Sequence, residues 1–432
     1  MSISQNFPNT RPSLNLNFAR SKTLDPRITF TRTSTGTYVD ESGVIRTAVA
    51  DEPRFDHDPV TGESLGLLIE EGRSNIKIRS EELQSDFSRA QITTISQNEI
   101  ISPDGLQTAD GIVPNVTLTA HYLDKVLTST SGITASQNIC CSAFFKKGVG
   151  RDVLLQIYEE SGNAYHGVQF NFETETLTFR NSNEYTNGGG VTTDYGVIKY
   201  PNGWYRLWVA GYPNTTTTGR RYRIRLTDAS GVPDFSGDAV SSYVYSWGVQ
   251  VEAGAFPTSY IPTQGSTATR TKEYPTISGT DFTDFYNPSE GTFYVRYSMK
   301  GYYATDGFNR IFEISDGGST NRFSALLRGI NDDIYEGAVW GINFNTSLIT
   351  FGDFYTYIVG YKENDFQRYA IDRNGNIDSN TDTSVEVSSF IPTELNIGYQ
   401  ADGDSRQLDG HISQLLYYPT RLPNSQLQTL TK

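Results

Sequence analysis

The chain has 432 residues, 36% of them hydrophobic and 12% aromatic, with 27 tyrosines, 2 methionines and a formal net charge of −14. That length exceeds what one hydrophobic core organises and implies two or three domains. The acidic balance argues against a nucleic-acid partner, which needs a basic face. No apolar run approaches the roughly 20 residues that span a bilayer, and MSISQNFPNTRPS at the start lacks the apolar stretch of a secretory signal.

Residues 1–79 are rich in turns and carry ten basic and ten acidic side chains. LNLNFA (14–19) and RITFTR (27–32) alternate like strands. TYVDESGVIRTA (37–48) reads as a hairpin. PRFDH and LGLLIE read as a second hairpin around DPVTGES (58–64), with Pro59 at the first central turn position and Gly62 supplying positive φ. Such small hairpins bury little on their own. The segment is expected to pack on a neighbouring domain or on another protein, and it is read as an attachment part that gains order from a partner.

Residues 80–262 read as a β-sandwich or jelly roll, from NICCSAFFKKG (138–148) to SSYVYSWGVQVEAG (241–254). In the last of these, Tyr245, Trp247, Val249 and Val251 share one apolar face. Cys140 and Cys141 are adjacent, so they point to opposite faces of a strand. They are expected as one buried and one exposed thiol, with neither a disulfide nor a zinc site.

Residues 263–276 are polar, flanked by prolines, and read as a linker. Residues 277–432 repeat the strand pattern in GTFYVRYSMKG, YTYIVGYKEND and GHISQLLYYP. Asn424 is placed to cap a short final helix carrying Leu427 and Leu430 on one side. Residues 273–432 hold 11 basic and 21 acidic side chains, a net of −10 that suits solvent or calcium. The predicted fold is all-β: two antiparallel β-sandwich (jelly-roll) domains preceded by a hairpin-rich N-terminal segment.

Gly62-Glu63-Ser64-Leu65-Gly66 matches the G-x-S-x-G pattern of a hydrolase nucleophile elbow. That elbow needs a strand before the serine and a helix after it. A turn precedes Ser64 here, and Asp56 and His57 lie upstream rather than downstream. Ser64 is therefore not read as a nucleophile, no catalytic residue is assigned, and the chain is expected not to be an enzyme. Asp56-His57-Asp58 has metal-ligand types, but on an extended strand His57 faces away from both aspartates. His57, His121, His166 and His411 show no ligand spacing. DRNGNIDSNTD (372–382) resembles a calcium loop, yet Gly375 falls fourth and Thr383 twelfth, where an EF-hand needs glycine at six and glutamate at twelve. Asn-Gly between apolar strands signals a hairpin instead.

The carboxylate neighbours Glu70/Glu71 and Glu159/Glu160 point apart on strands, although a glycosidase pair assembled across strands is open. In GWYRLWV, Trp204, Arg206 and Trp208 share a face, as a sugar-stacking platform or as core tryptophans.

LNFARSKTLDPRITFTRTSTGTYVDESGVIRTAVADEPRFDHDPVTGESLGLLIEEGRSN (16–75) resembles a segment of virion structural proteins of tailed bacteriophages, especially marine and cyanobacterial ones. That segment leads into a carbohydrate-binding-like jelly roll, and PDGLQTAD (103–110), SAFFKKG (142–148), NGWYRLWV (202–209) and WGVQVEAGAFPTSYIPT (247–263) resemble that module's landmarks in the expected order. GHISQLLYYPTRLPNSQLQTL (410–430) is similar to the closing strand and helix of concanavalin A-like, laminin-G-like domains.

The resemblance implies a tail fibre or related appendage that attaches to the particle by its N-terminus. Its partners would be other virion proteins and a host-surface glycan, its state a homotrimer, and its location the virion, assembled in the host cytoplasm. A capsid or tail decoration protein and a tail-associated glycan hydrolase are the rival readings. Ligand contacts are expected in C-terminal loops, at Tyr302, Tyr303, Asp316, Asn321, Asp402 and Asp404. Tyrosine offers a flat apolar face and a hydroxyl, and the Asp and Asn oxygens suit sugar hydroxyls or a structural Ca²⁺. The plainer reading of these loops is that they are solvated. No other cofactor is implied.

Overall fold

The computed structural model describes residues 8–127, 138–159, 164–181, 194–211, 220–301, 308–318, 322–328, 340–342, 352–371, 377–383, 391–401 and 406–430. Among them the all-β expectation holds: strands dominate, and the α-helices run for four to seven residues.

The first sandwich stacks two six-stranded antiparallel sheets. One runs in the order Asp194–Tyr200, Trp204–Gly211, Ile139–Lys147, Val244–Ala253, Ala109–Pro114, Ile92–Ile100. The other runs Thr176–Asn181, Ala164–Asn171, Asp152–Glu159, Arg220–Leu226, Tyr122–Val126, Ser88–Ala90. Period-two alternation sends Cys141, Phe145, Leu207, Val249 and Val251 into the space between them, against Leu155, Val168, Phe170 and Ile224. Each such large side chain contributes about 1.5–3 kcal/mol by leaving water.

The alternate residues of the first sheet face outward, yet they are covered too. Phe144, Trp204 and Trp247 pack with Tyr260 and with Val39 and Ile45 of the N-terminal hairpin. This corrects the cysteine expectation. Cys140 and Cys141 are both buried and not joined by a disulfide, because both faces of their strand are covered. Burial drives the Cys140 thiol well above its ordinary pKa, which makes it inert.

The second sandwich also has two sheets. Its larger sheet runs Ile377–Asp382, Asp365–Ile371, Phe354–Lys362, Glu290–Met299, Gly410–Tyr418, Ser64–Ile69, Phe55–His57, with Leu14–Leu16 also on Gly410–Tyr418. Its smaller sheet runs Thr29–Thr31, Tyr274–Ser278, Glu394–Ile397, Phe308–Ser315, Arg322–Arg328, Trp340–Ile342. The last two strands pair in parallel, Phe323 opposite Trp340, and depart from the antiparallel rule that governs the other described ladders. Leu14, Leu16, Leu67 and Ile69 enter the same core as Phe293, Val295, Phe312 and Leu415.

Residues 1–79 therefore pack on neighbouring domains within the chain, and on both of them. The Gly36–Val39 and Ile45–Ala48 hairpin lies on the first sandwich, while four other strands of the segment join sheets of the second. The final helix, Asn424–Leu430, covers the outer face of the larger sheet through Leu427. Asn424 does not cap it. The Pro423 carbonyl accepts the Gln426 and Leu427 amides, and Asn424 Oδ1 accepts from Arg421 at 2.6 Å.

Candidate functional site

A cavity of about 390 Å³ lies where the two sandwiches and the N-terminal hairpins meet. Its walls carry Tyr38, Asp56 and His57 from the hairpins, Tyr200 and Trp208 from the first sandwich, and Ser298, Lys300 and His411 from the second.

Local sequence explains the hairpin wall. Asp58 opens the turn, its Oδ1 accepting the Val60 and Thr61 amides at 2.9 and 2.7 Å. Gly62 takes φ +69°, as the turn predicts. The register then slips between Asp56 and His57. The extra residue is Leu65 on the partner strand, and Asp56 and His57 are both buried and line the cavity. Each engages the Val39 backbone. Asp56 Oδ1 accepts the Val39 amide at 2.7 Å, and His57 Nδ1 lies 3.0 Å from the Val39 carbonyl. That bond makes Nδ1 the protonated nitrogen and leaves Nε2 an acceptor, which finds no partner among the described residues.

Asp56 Oδ2 accepts from His411 Nε2 at 2.8 Å, and His411 Nδ1 lies 3.1 Å from Ser298 Oγ. Burial lowers the His411 pKa, against the pull of Asp56, so the ring is neutral near pH 7. Burial pushes the Asp56 carboxyl up, but the bonds from His411 and Val39 and the charge of Lys300 bring it below its ordinary value. An ionised Asp56 fixes the proton on Nε2, so Nδ1 accepts the Ser298 hydroxyl proton.

Beside the cavity lies a set of buried ions. Glu273 Oε1 accepts from Arg54 Nε at 2.8 Å and Arg32 Nη1 at 3.1 Å. Glu70 pairs with Arg54 and Arg270, each at 2.9 Å, and with Lys300 at 3.0 Å. Ser259 adds its amide and hydroxyl to Glu70 at 2.9 and 2.7 Å. Burial opposes ionisation of Glu70, but these cations hold its carboxyl well below the usual range. Glu71 turns the other way, to Arg73, so the two neighbours point apart as expected. Arg270 and Glu273 belong to the stretch expected as a polar linker, and both are buried.

The tryptophans of GWYRLWV divide. Trp204 is buried, donating Nε1–H to the Ile101 carbonyl at 3.1 Å. Arg206 is buried over Phe144 and donates to Thr258 and Ser142. Trp208 lines the cavity and covers Gly196, where a Cβ would come within 2.6 Å of the indole nitrogen.

Ser64 opens the strand Ser64–Ile69, and that strand, not a helix, follows it. The nucleophile-elbow geometry is not formed. Of the expected loop residues, Asp316 is exposed and accepts the Gly318 amide at 2.9 Å. Tyr302, Tyr303, Asn321, Asp402 and Asp404 lie outside the described residues, as do Glu160 and the turn at 372–376. The strands flanking that turn pair antiparallel, Ile371 opposite Ile377. Among the described residues no group of three or more His, Cys, Asp and Glu is placed to hold a metal.

Sequence reasoning weighed Asp56 and His57 as triad or metal residues and His411 only as a metal ligand, and it passed over Ser298 and Lys300. Asp56 and His411 stand 355 residues apart, and no local pattern links them.

No protein-family model matches the chain, and no curated protein matches it. Solved structures similar to it include Trypanosoma rangeli sialidase in complex with 2,3-difluoro-KDN, at 10% identity over 75% of this chain and 60% of that one, with a TM-score of 0.25. Domains LG4-5 of the mouse laminin alpha1 chain match at 10% identity over 70% and 85%, with a TM-score of 0.17. The LG1-3 region of the laminin alpha2 chain matches at 9% identity over 69% and 64%, with a TM-score of 0.19. This chain thus spans 60% of the sialidase's length. Likeness at these scores carries no argument about ligand or mechanism. The expectation that the chain is not an enzyme is corrected on the same finding: an enzyme stands among the similar structures, and that expectation is withdrawn.

Proposed function

We propose that this chain is a virion structural protein whose junction cavity binds a saccharide. The observation that carries the reading is the cavity wall. Tyr38 and Trp208 offer flat apolar faces, while Asp58 and Lys300 supply polar groups of both kinds. Sugar rings need this combination, because each carries apolar C–H faces and a rim of hydroxyls. A volume of about 390 Å³ suits one or two sugar units.

The virion role is supported by the resemblance of residues 16–75. Host-surface glycan, particle attachment through residues 1–79 and a trimeric state belong to the same reading. A trimer would present three sites and gain by avidity where one site is weak.

Titration of the intact protein with a panel of neutral, acetylated and acidic saccharides, read by tryptophan fluorescence and calorimetry, tests the cavity. The expected result is saturable binding that Trp208→Ala weakens at least about tenfold, a loss of one well-packed aromatic contact. Absence of binding across the panel, or binding unchanged in Trp208→Ala, refutes the saccharide reading.

A further inference from the structure

We infer that Ser298, His411 and Asp56 form an acyl-transfer site that hydrolyses an ester on the bound saccharide, the substrate class being a sugar bearing a small O-acyl group. The inference rests on the saccharide reading for its substrate and on the geometry of the three residues for its chemistry.

Three side chains from three strands make one hydrogen-bonded line. Ser298 and His411 are direct cross-strand partners on Glu290–Met299 and Gly410–Tyr418. Asp56 is two strands further across the same sheet, beyond Ser64–Ile69. The residue opposite Asp56 on that intervening strand is Gly66. At φ +96° Gly66 runs so close to the next strand that a Cβ would meet the Ile412 carbonyl oxygen at 2.4 Å. The glycine of the G-x-S-x-G match thus leaves no side chain where Asp56 reaches across to His411. The distances of 3.1 and 2.8 Å are those a nucleophile, a base and an orienting carboxylate need. All three groups line the cavity. A relay that merely tied strands together would have no need to face it.

The serine is on Nδ1 and the carboxylate on Nε2, the reverse of the commoner arrangement. Either imidazole nitrogen accepts a proton when the other is held protonated.

The chemistry balances without a further reagent. Ser298 Oγ bonds to the ester carbonyl carbon as its proton passes to His411 Nδ1. The carbonyl π pair moves to oxygen, near a wall that carries the Lys300 ammonium. Collapse breaks the C–O bond to the sugar, whose oxygen takes the proton from Nδ1. Water then attacks the acyl-serine, giving its proton to Nδ1, and the carboxylic acid leaves as Oγ regains a proton. Asp56 stays ionised and stabilises the imidazolium in both halves.

The test uses the full chain with p-nitrophenyl acetate and with an acetylated monosaccharide, following acetate release across pH. A fluorophosphonate is added in parallel, and its site is mapped by mass spectrometry. Expected are turnover above background, a label on Ser298, and losses of at least about 100-fold in Ser298→Ala and Asp56→Asn. The rate should stay on its plateau below the usual histidine pKa, because the base is neutral there; a structural tie gives no such profile. Should the variants not fold, labelling of the wild-type chain decides alone. Saccharide binding without acetate release or Ser298 labelling overturns this inference and leaves the saccharide reading standing. Acetate release at equal rate in Ser298→Ala also overturns it.

Discussion

Arg54 and Glu273 meet with neither side chain exposed, Arg54 Nε donating to Glu273 Oε1 at 2.8 Å. The arginine comes from the N-terminal hairpins, and the glutamate from the stretch that joins the two sandwiches. Glu273 also receives Arg32 Nη1 and the Glu70 amide, so one carboxylate ties three parts of the segment to the junction. Its removal leaves the buried Arg32 guanidinium without its anion, while Arg54 keeps only Glu70. Glu273→Gln should cost about 3–5 kcal/mol, the range for breaking one side of a buried pair. Chemical denaturation followed by circular dichroism checks this. A loss below about 1 kcal/mol would mean that water reaches the cluster.

Gly66→Ala should destabilise by about 2 kcal/mol or more, from left-handed strain together with the clash on the Ile412 carbonyl. It should also separate Asp56 from His411. Nitrogen-15 resonances of the His411 ring would show the Nε2–H bond lost. An unchanged ring signal in a folded variant would contradict the geometry.

His166 contributes a pH dependence of known sign. Its ring is buried in the first sandwich, with Nε2 3.0 Å from the Ala210 carbonyl, and burial pulls its pKa from 6.5 down to about 4. Between those values the unfolded chain binds a proton that the folded chain refuses, so stability falls as pH falls through this window. The loss reaches at most about 3.5 kcal/mol, at roughly 1.4 kcal/mol per unit, and this group adds none below it. Denaturation midpoints of wild type and His166→Gln between pH 7 and pH 4 test this. The variant should have the shallower slope.

Deletion of residues 1–75 should spare the first sandwich more than the second. The second loses Leu14, Leu16, Leu67 and Ile69 from its core and three strands from its larger sheet. Limited proteolysis should show cleavage within 277–432 and protection within 80–262. Equal protection of both would contradict the sheet assignment.

The legible parts of the sequence were those governed by local rules. Alternation put Val249 and Val251 on one inward face, and Asp58, Pro59 and Gly62 gave their turn. Tyr245 and Trp247, expected on the same face as the valines, lie on the other because the strand bulges near Gly248. Alternation says nothing about what covers a strand's second face, so the expectation of one exposed thiol at Cys140 and Cys141 failed. The bulge at Leu65, which puts Ser64 opposite His57, escaped for a related reason. A register shift depends on the partner strand, and the intervening Gly66 looked like part of a hydrolase motif. Ser298 and His411 are ordinary strand residues in sequence, and only the pairing of Glu290–Met299 with Gly410–Tyr418 brings them together. The junction ions were hidden because charge counts treat Arg32, Arg54, Glu70 and Glu273 as surface groups.

The strand Gly410–Tyr418 bonds to both Leu14–Leu16 and Ser64–Ile69, with one contact joining residues 404 positions apart. During synthesis these N-terminal strands leave the ribosome long before their partner exists. The first sandwich, whose strands lie within residues 88–253, has the shorter wait and can close first. Until Gly410–Tyr418 arrives, Leu67 and Ile69 sit on an unpaired apolar edge, the kind of surface that aggregates or recruits a chaperone. The second sandwich has high contact order and should fold late and slowly. Yield in a recombinant host should therefore respond more to growth temperature and chaperone supply than the stability of the finished protein would suggest.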